Sequence, residues 1–142
     1  MAIKHLNPYI VFNGVAEKAI ALYEKALCAK VQTLMRWGQG PEGCVAPEHK
    51  NLVMHSVLLI GGNAIMVADT PPDRPVPTDG NVRIALDFND PSEMTKLFDA
   101  LAEGGKVVLP IQDTFWGAKF GMLTDAFGVH WLFNCEIAKT AE

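Results

Sequence analysis

The sequence predicts an α+β fold made of two βαβββ modules in tandem. Strand-type and helix-type patterns follow one another in the same order twice along the chain. Residues at the element ends recur at a fixed offset: Phe12 and Lys30 reappear as Phe88 and Lys106, each 76 positions on. Between the copies lies 70–80, which holds Pro71, Pro72, Pro75 and Pro77 and no periodic pattern. These observations give modules over about 5–69 and 81–136, joined by a Pro-rich linker over 70–80, in one domain spanning 1–142.

In the first copy, Leu6–Phe12 is rich in β-formers and reads as a strand, with Pro8 near its start, where a missing N–H is tolerated. Asn13-Gly14 marks a turn. Ala16–Ala26 has helix-forming composition and places Ala19, Ile20, Leu22, Tyr23 and Leu27 on one side. Lys30–Met35 reads as a strand. Residues 36–50, with Gly38, Gly40, Pro41, Gly43 and Pro47, read as a loop. Leu52–Ile60 and Ala64–Ala68 form a hairpin across Gly61-Gly62-Asn63.

In the second copy, Asn81–Phe88 reads as a strand with Arg83, Ala85 and Asp87 on one face and Ile84, Leu86 and Phe88 on the other. Asp90-Pro91-Ser92-Glu93 is a helix start, a capping residue followed by proline and acid. The helix covers Met94–Ala102 and ends at Gly104-Gly105. Val107–Asp113 is a strand, and Ala118–Thr124 and Val129–Asn134 make a hairpin across 125–128. One such module leaves an apolar sheet face that a second must cover, so the two sheets are expected to curve around a cavity able to take a ligand.

Bulk properties narrow the function classes. The formal net charge is −4, and no basic block occurs, which argues against nucleic acid and anionic membrane as partners. Apolar runs such as Val57–Ile60 are far too short to span a bilayer. The opening MAIKHLNPYIVF lacks the apolar core and cleavage site of a signal peptide, and a cytoplasmic location is expected. The cysteines, Cys28, Cys44 and Cys135, are odd in number and widely spaced, which argues against a disulfide framework or a zinc knuckle. Cys135 alternates with Trp131 and Phe133 and is expected in the core, while Cys44 lies in an exposed loop. No Walker-type loop, no GxGxxG after a strand and no GxSxG elbow is present.

The last third of the chain carries a recognisable pattern. D-x-F-W-G-x-x-x-G-x-x-x-D-x-F-G-x-x-W stands as Asp113, Phe115, Trp116, Gly117, Gly121, Asp125, Phe127, Gly128 and Trp131. With Asn7-Pro8-Tyr9-Ile10 and Ala19–Tyr23, and with the order of elements, it resembles the PhnB-like branch of the vicinal oxygen chelate superfamily, which includes glyoxalases, bleomycin-resistance proteins and dihydroxybiphenyl dioxygenases. Most of the motif reads as scaffold. Asp125 can hydrogen-bond the backbone of its own turn, and Gly128 can take positive φ. Gly121 suits a close approach, and Trp131 alternates into a core. Phe115, Trp116 and Phe120 can instead line a cavity and stack a planar ligand.

The resemblance implies metal ligands on the first, fourth, fifth and eighth strands. Those positions fall at or near Pro8, Met66, Arg83 and Leu132, with His130 or Asn134 one pleat away from Leu132. Pro and Leu offer no lone pair, Met is a soft ligand, and Arg does not deprotonate. No metal is therefore expected at the usual positions, and no cofactor is required, although His55, Asp69 and His130 are candidates for a rebuilt divalent site. Each has a plainer reading: a sheet histidine, an organiser of the Thr70-Pro71 turn, and a strand-end residue. Arg83 is either a surface residue or a guanidinium awaiting an anion.

The expected function is a metal-independent, small-molecule-binding homodimer, its cavity lined by Ile10, Met66, Arg83, Trp116, Phe120 and Leu132. The alternative is a metal-dependent lyase or dioxygenase of the same superfamily. PhnB-like sequences often carry a ubiquinone-pathway methyltransferase label. No Rossmann-like glycine fingerprint supports that activity here.

Overall fold

Asn13 and Gly14 turn the chain from strand β1 (Tyr9–Phe12) into helix α1 (Ala16–Leu27), with Gly14 at φ 91°. The computed structural model describes residues 2–137. They divide after Thr78 into two units, a break that falls inside the Pro-rich stretch. In the first unit, β2 (Lys30–Arg36), β3 (Val53–Ile60) and β4 (Asn63–Asp69) complete a four-stranded sheet in the order β1-β4-β3-β2. β1 runs parallel to β4, and the other pairs are antiparallel. Two short 3-10 turns, Trp37–Gln39 and Pro47–His49, occupy the predicted loop.

α1 buries Ala16, Ala19, Ile20, Tyr23, Ala26 and Leu27 at helical spacing. It packs on β3 and β4, where Val53, Leu58, Ile65 and Val67 are buried. Leu22, placed by the periodicity on the apolar side, is only half-buried. β1 starts at Tyr9 and not at Leu6. Pro8 has no N–H to donate, but its carbonyl accepts from Met66 N at 2.9 Å.

Val15, at the N-terminus of α1, has no side chain able to cap it. A residue from the far end of the module does so. Asp69, 3% exposed, accepts from Gly14 N and Ala16 N through Oδ1, both at 2.9 Å, and from Val53 N through Oδ2 at 3.1 Å. Its own carbonyl accepts from Trp37 Nε1 at 3.0 Å. The sequence reading gave Asp69 to the turn that follows it. Its side chain instead holds the β1–α1 turn, because parallel pairing sets Phe12 beside Asp69. At the other end of β2, Arg36 grips Glu17 with both guanidinium nitrogens, at 3.2 and 2.9 Å. That hydrogen bonding, with the guanidinium charge, holds the Glu17 carboxyl below its ordinary value.

The second unit repeats the plan: β5 (Ile84–Phe88), α2 (Pro91–Ala102), β6 (Lys106–Asp113), β7 (Ala118–Thr124) and β8 (His130–Glu136), in the order β5-β8-β7-β6. Here the helix cap is local, since Asp90 accepts from Ser92 N and Glu93 N. α2 buries Met94, Phe98 and Leu101. The Phe98 ring meets Phe133 edge-on at 5.1 Å, and Phe133 stacks on Phe88 at 5.3 Å. Gly121 permits this packing: a Cβ there would lie 3.0 Å from the Phe98 ring and 2.9 Å from Ile111 Cγ1. Pro110 sits on β6, an edge strand, where the register shifts between Leu109 and Gln112.

Asp125 anchors this unit. It is 3% exposed. Oδ1 accepts from Phe127 N at 2.8 Å and Val129 N at 3.1 Å, as expected of its turn. Oδ2 accepts from the buried Trp131 indole at 2.9 Å. Trp131, Phe133 and Cys135 lie in the core, as the alternation predicted.

Replacing either aspartate strands several N–H donors in places water reaches poorly. Asp69→Ala and Asp125→Ala should each lower unfolding free energy by about 3 kcal/mol in urea titrations. A loss within about 0.5 kcal/mol, the range of ordinary surface changes, would remove these carboxylates from their anchoring role.

Candidate functional site

Pairing across β5, β8 and β7 brings the outward residues of the second sheet into rows. Asp87 lies beside Asn134, and Asn134 beside Phe120. The next row is Ala85, Leu132 and Met122, and beyond it His130 pairs with Thr124. The residues that alternate with these, Trp131, Phe133 and Leu123, belong to the core. The face therefore has an apolar middle row between two rows that hydrogen-bond.

At the Asp87 end is a cavity of about 800 Å³, lined by Asp87, Phe88, Asn89, Trp116, Gly117, Asn134, Glu136 and Ile137. The β6–β7 turn builds one wall. Thr114 N donates to Ala118 O at 2.8 Å, Gly117 N to Thr114 O at 3.3 Å, and Ile137 N to Gly117 O at 3.0 Å. Gly117 takes φ 84°, a conformation that costs other residues strain. The turn holds Phe115 and Trp116 outward, 96% and 56% exposed. Their rings meet edge-on at 4.9 Å, and Trp116 reaches Phe120 at 5.9 Å. Asn134 Nδ2 donates to Asp87 Oδ1 at 3.2 Å.

Of the residues proposed from sequence, Trp116 lines this cavity, Phe120 meets the Trp116 ring without lining the cavity, and Leu132 occupies the adjoining row. Arg83 is exposed, just before β5 begins, and makes no ion pair among the described residues. In the first unit Met66 lies on the open face of its sheet, paired with Tyr9 and Val57. Ile10 does not share that face. It pairs with the fully buried Val67 and alternates with Tyr9, so it turns toward the helix side. A single residue of strand parity separates the expectation from the structure.

The candidate ligands for a metal each have other partners. The His55 ring stacks on Tyr9 at 5.9 Å. Both Asp69 oxygens are taken by backbone N–H groups. His130 lies 2.8 Å from Thr124 Oγ1 through Nδ1 and 3.1 Å from Asp79 Oδ1 through Nε2. Among the described residues no three His, Cys, Asp or Glu side chains gather in a way that could hold a metal ion. The donor set that the resemblance requires is not met by Pro8, Met66, Arg83 and Leu132.

Asn89, Glu136 and Ile137 are site residues that sequence reasoning missed. The last strand was expected to stop at Asn134, and only its extension to Glu136 carries the chain past the cavity. Glu136 continues the Leu132–Asn134 alternation, which is the signal that could have found it.

Paired βαβββ modules, each with its first strand parallel to its last, define a vicinal-oxygen-chelate type of protein. The chain belongs to the Glyoxalase/Bleomycin resistance protein/Dioxygenase superfamily, which it matches over residues 2–133. Protein YjdN of Escherichia coli (strain K12) is 33% identical over 138 residues, covering 91% of this chain and 93% of that protein. The crystal structure of protein PA1353 from Pseudomonas aeruginosa matches with a TM-score of 0.86 at 38% identity, over 96% of this chain and 100% of that one. The PhnB protein from Bacillus cereus matches with a TM-score of 0.78 at 20% identity, over 93% and 99% respectively, a likeness of fold. Among the described residues, no helix is long and apolar enough to cross a membrane.

The Asp79 carboxylate accepts from Gly80 N at 2.9 Å. That bond first, and His130 second, hold its carboxyl below the ordinary value. A depressed folded value means the contact persists above the ordinary carboxylate range and is lost as pH falls through the lower, folded value. Carbon-detected NMR titration should give Asp79 a low midpoint that rises only partly in His130→Ala, since Gly80 remains. An ordinary midpoint in the native protein would contradict the contact.

Proposed function

We propose that this chain is a metal-independent small-molecule-binding protein whose ligand seats beside Trp116 in the second unit. The observation that carries the reading is a large aromatic held half-exposed on the wall of a cavity of about 800 Å³. That size is typical of small-molecule sites. A tryptophan presented this way offers a rigid stacking surface at little entropic cost. Phe120 and Leu132 extend the same surface along β7 and β8. Ile10 is withdrawn from this reading, and neither Met66, which belongs to the first unit, nor Arg83 lines the cavity.

We read the two modules as one domain and the protein as a cytoplasmic homodimer. Exposed Ile3 and Leu6 in the first unit, and Val82 in the second, are apolar side chains that a second copy would cover. Superfamily membership also favours a metal-dependent lyase or dioxygenase. That reading needs His55, Asp69 and His130 to leave the partners described above, and Asp69 cannot do so without uncapping α1.

Ligand screening by tryptophan fluorescence tests the proposal. Trp116→Ala should weaken binding of any hit about tenfold or more, with thermal unfolding nearly unchanged, because the side chain is over half exposed. Undiminished binding in the variant would overturn the site, and a variant that fails to fold would place Trp116 in the core.

A further inference from the structure

We propose that the ligand taken by the second unit's cavity is an organic cation: an ammonium, amidinium or quaternised ring nitrogen carried on an aromatic body. This rests on the preceding reading that the cavity beside Trp116 is the binding site, and adds the charge of what it binds.

Among the described residues no Lys, Arg or His lines this cavity, whereas Asp87 and Glu136 both do. Neither carboxylate has an ion-pair partner among the described residues. The sheet's own Lys119 is engaged by Asp113 at 2.8 Å. Asp87 receives one hydrogen bond, from Asn134 Nδ2. A carboxylate can only accept, so this bond fixes the Asn134 amide with its nitrogen toward Asp87 and leaves its oxygen as an acceptor. The polar lining from Asp87 through Asn134 to Glu136 is thus rich in acceptors and anionic.

The apolar part of the lining has the complementary chemistry. Trp116 presents aromatic surface, and a cation is attracted to the face of such a ring, most strongly to indole. An anionic ligand would meet two like charges, with only amides and the Trp116 indole N–H as donor side chains. A neutral ligand would gain nothing from either carboxylate. A positively charged head with an aromatic body satisfies both parts at once. The overall charge of −4 adds long-range attraction of the same sign.

Three bicyclic probes of similar shape test the charge: 1-methylquinolinium, quinoline at pH 8, where it is neutral, and 2-quinolinecarboxylate. Binding is followed by NMR shifts of the Trp116 indole N–H. The cation should bind about tenfold tighter than quinoline at low salt, and the carboxylate weakest. The double variant Asp87→Asn with Glu136→Gln, both exposed positions, should remove most of the cation's advantage over quinoline and leave quinoline unchanged. If quinoline or the carboxylate binds at Trp116 as tightly as the cation, the charge assignment falls and the cavity stands. If the double variant leaves the cation's affinity intact, the assignment to these carboxylates falls. Silence of the Trp116 indole with all three probes removes the cavity reading and the cation with it.

Discussion

Each module depends on one buried carboxylate that gathers several N–H donors. Burying an ionised carboxyl is costly unless its oxygens are fully hydrogen-bonded. Asp69 meets that condition with the turn before α1 and the first residue of β3. Asp125 meets it with its own turn and the indole of Trp131. The consequences differ between the modules. In the first, the aspartate substitutes for a missing helix cap and ties the end of β4 to the start of α1. In the second, where Asp90 caps α2 locally, the aspartate is released from that duty. It fixes instead the β7–β8 turn, the entry to the strand that carries Leu132, Asn134 and Glu136.

That strand links the scaffold to the candidate site. Its inward residues, Trp131, Phe133 and Cys135, are locked in the core, so its outward residues have no freedom to rotate away. Asn134 is held between Asp87 and Phe120, and the backbone beyond Glu136 is pinned to Gly117. Trp116 therefore projects from a turn closed by hydrogen bonds at both ends. The site combines a rigid floor with an exposed aromatic wall, an arrangement suited to binding by stacking and charge. The metal-ligand positions implied by the superfamily carry side chains of the wrong chemistry for that alternative.

Much of the architecture is legible in the sequence because local signals agree with the repeat. Asn13-Gly14, the Asp90-Pro91 helix start and Gly61-Gly62 mark boundaries by backbone chemistry, and both helices end within a residue of expectation. Strand ends are less legible, since they depend on pairing partners. β1 loses its first residues to Pro8, β5 begins only at Ile84, and β8 runs on to Glu136. The site suffers from the same blindness. Trp116 stands in the motif and Phe120 only near it, Ile10 lies one step of strand parity from its expected face, and Glu136 is missed with the strand end. The role of Asp69 could not be read locally at all, because its partners lie up to 55 residues away.

The most direct test of a metal-independent binding protein is metal content. Untagged protein, purified without chelator and dialysed against metal-free buffer, would be assayed for transition metals per chain and for thermal stabilisation by added nickel, zinc, manganese or iron(II). The proposed reading predicts no stoichiometric metal and no stabilisation. A near-stoichiometric divalent ion that disappears in His55→Ala or His130→Ala would contradict it and install the metal-dependent reading in its place.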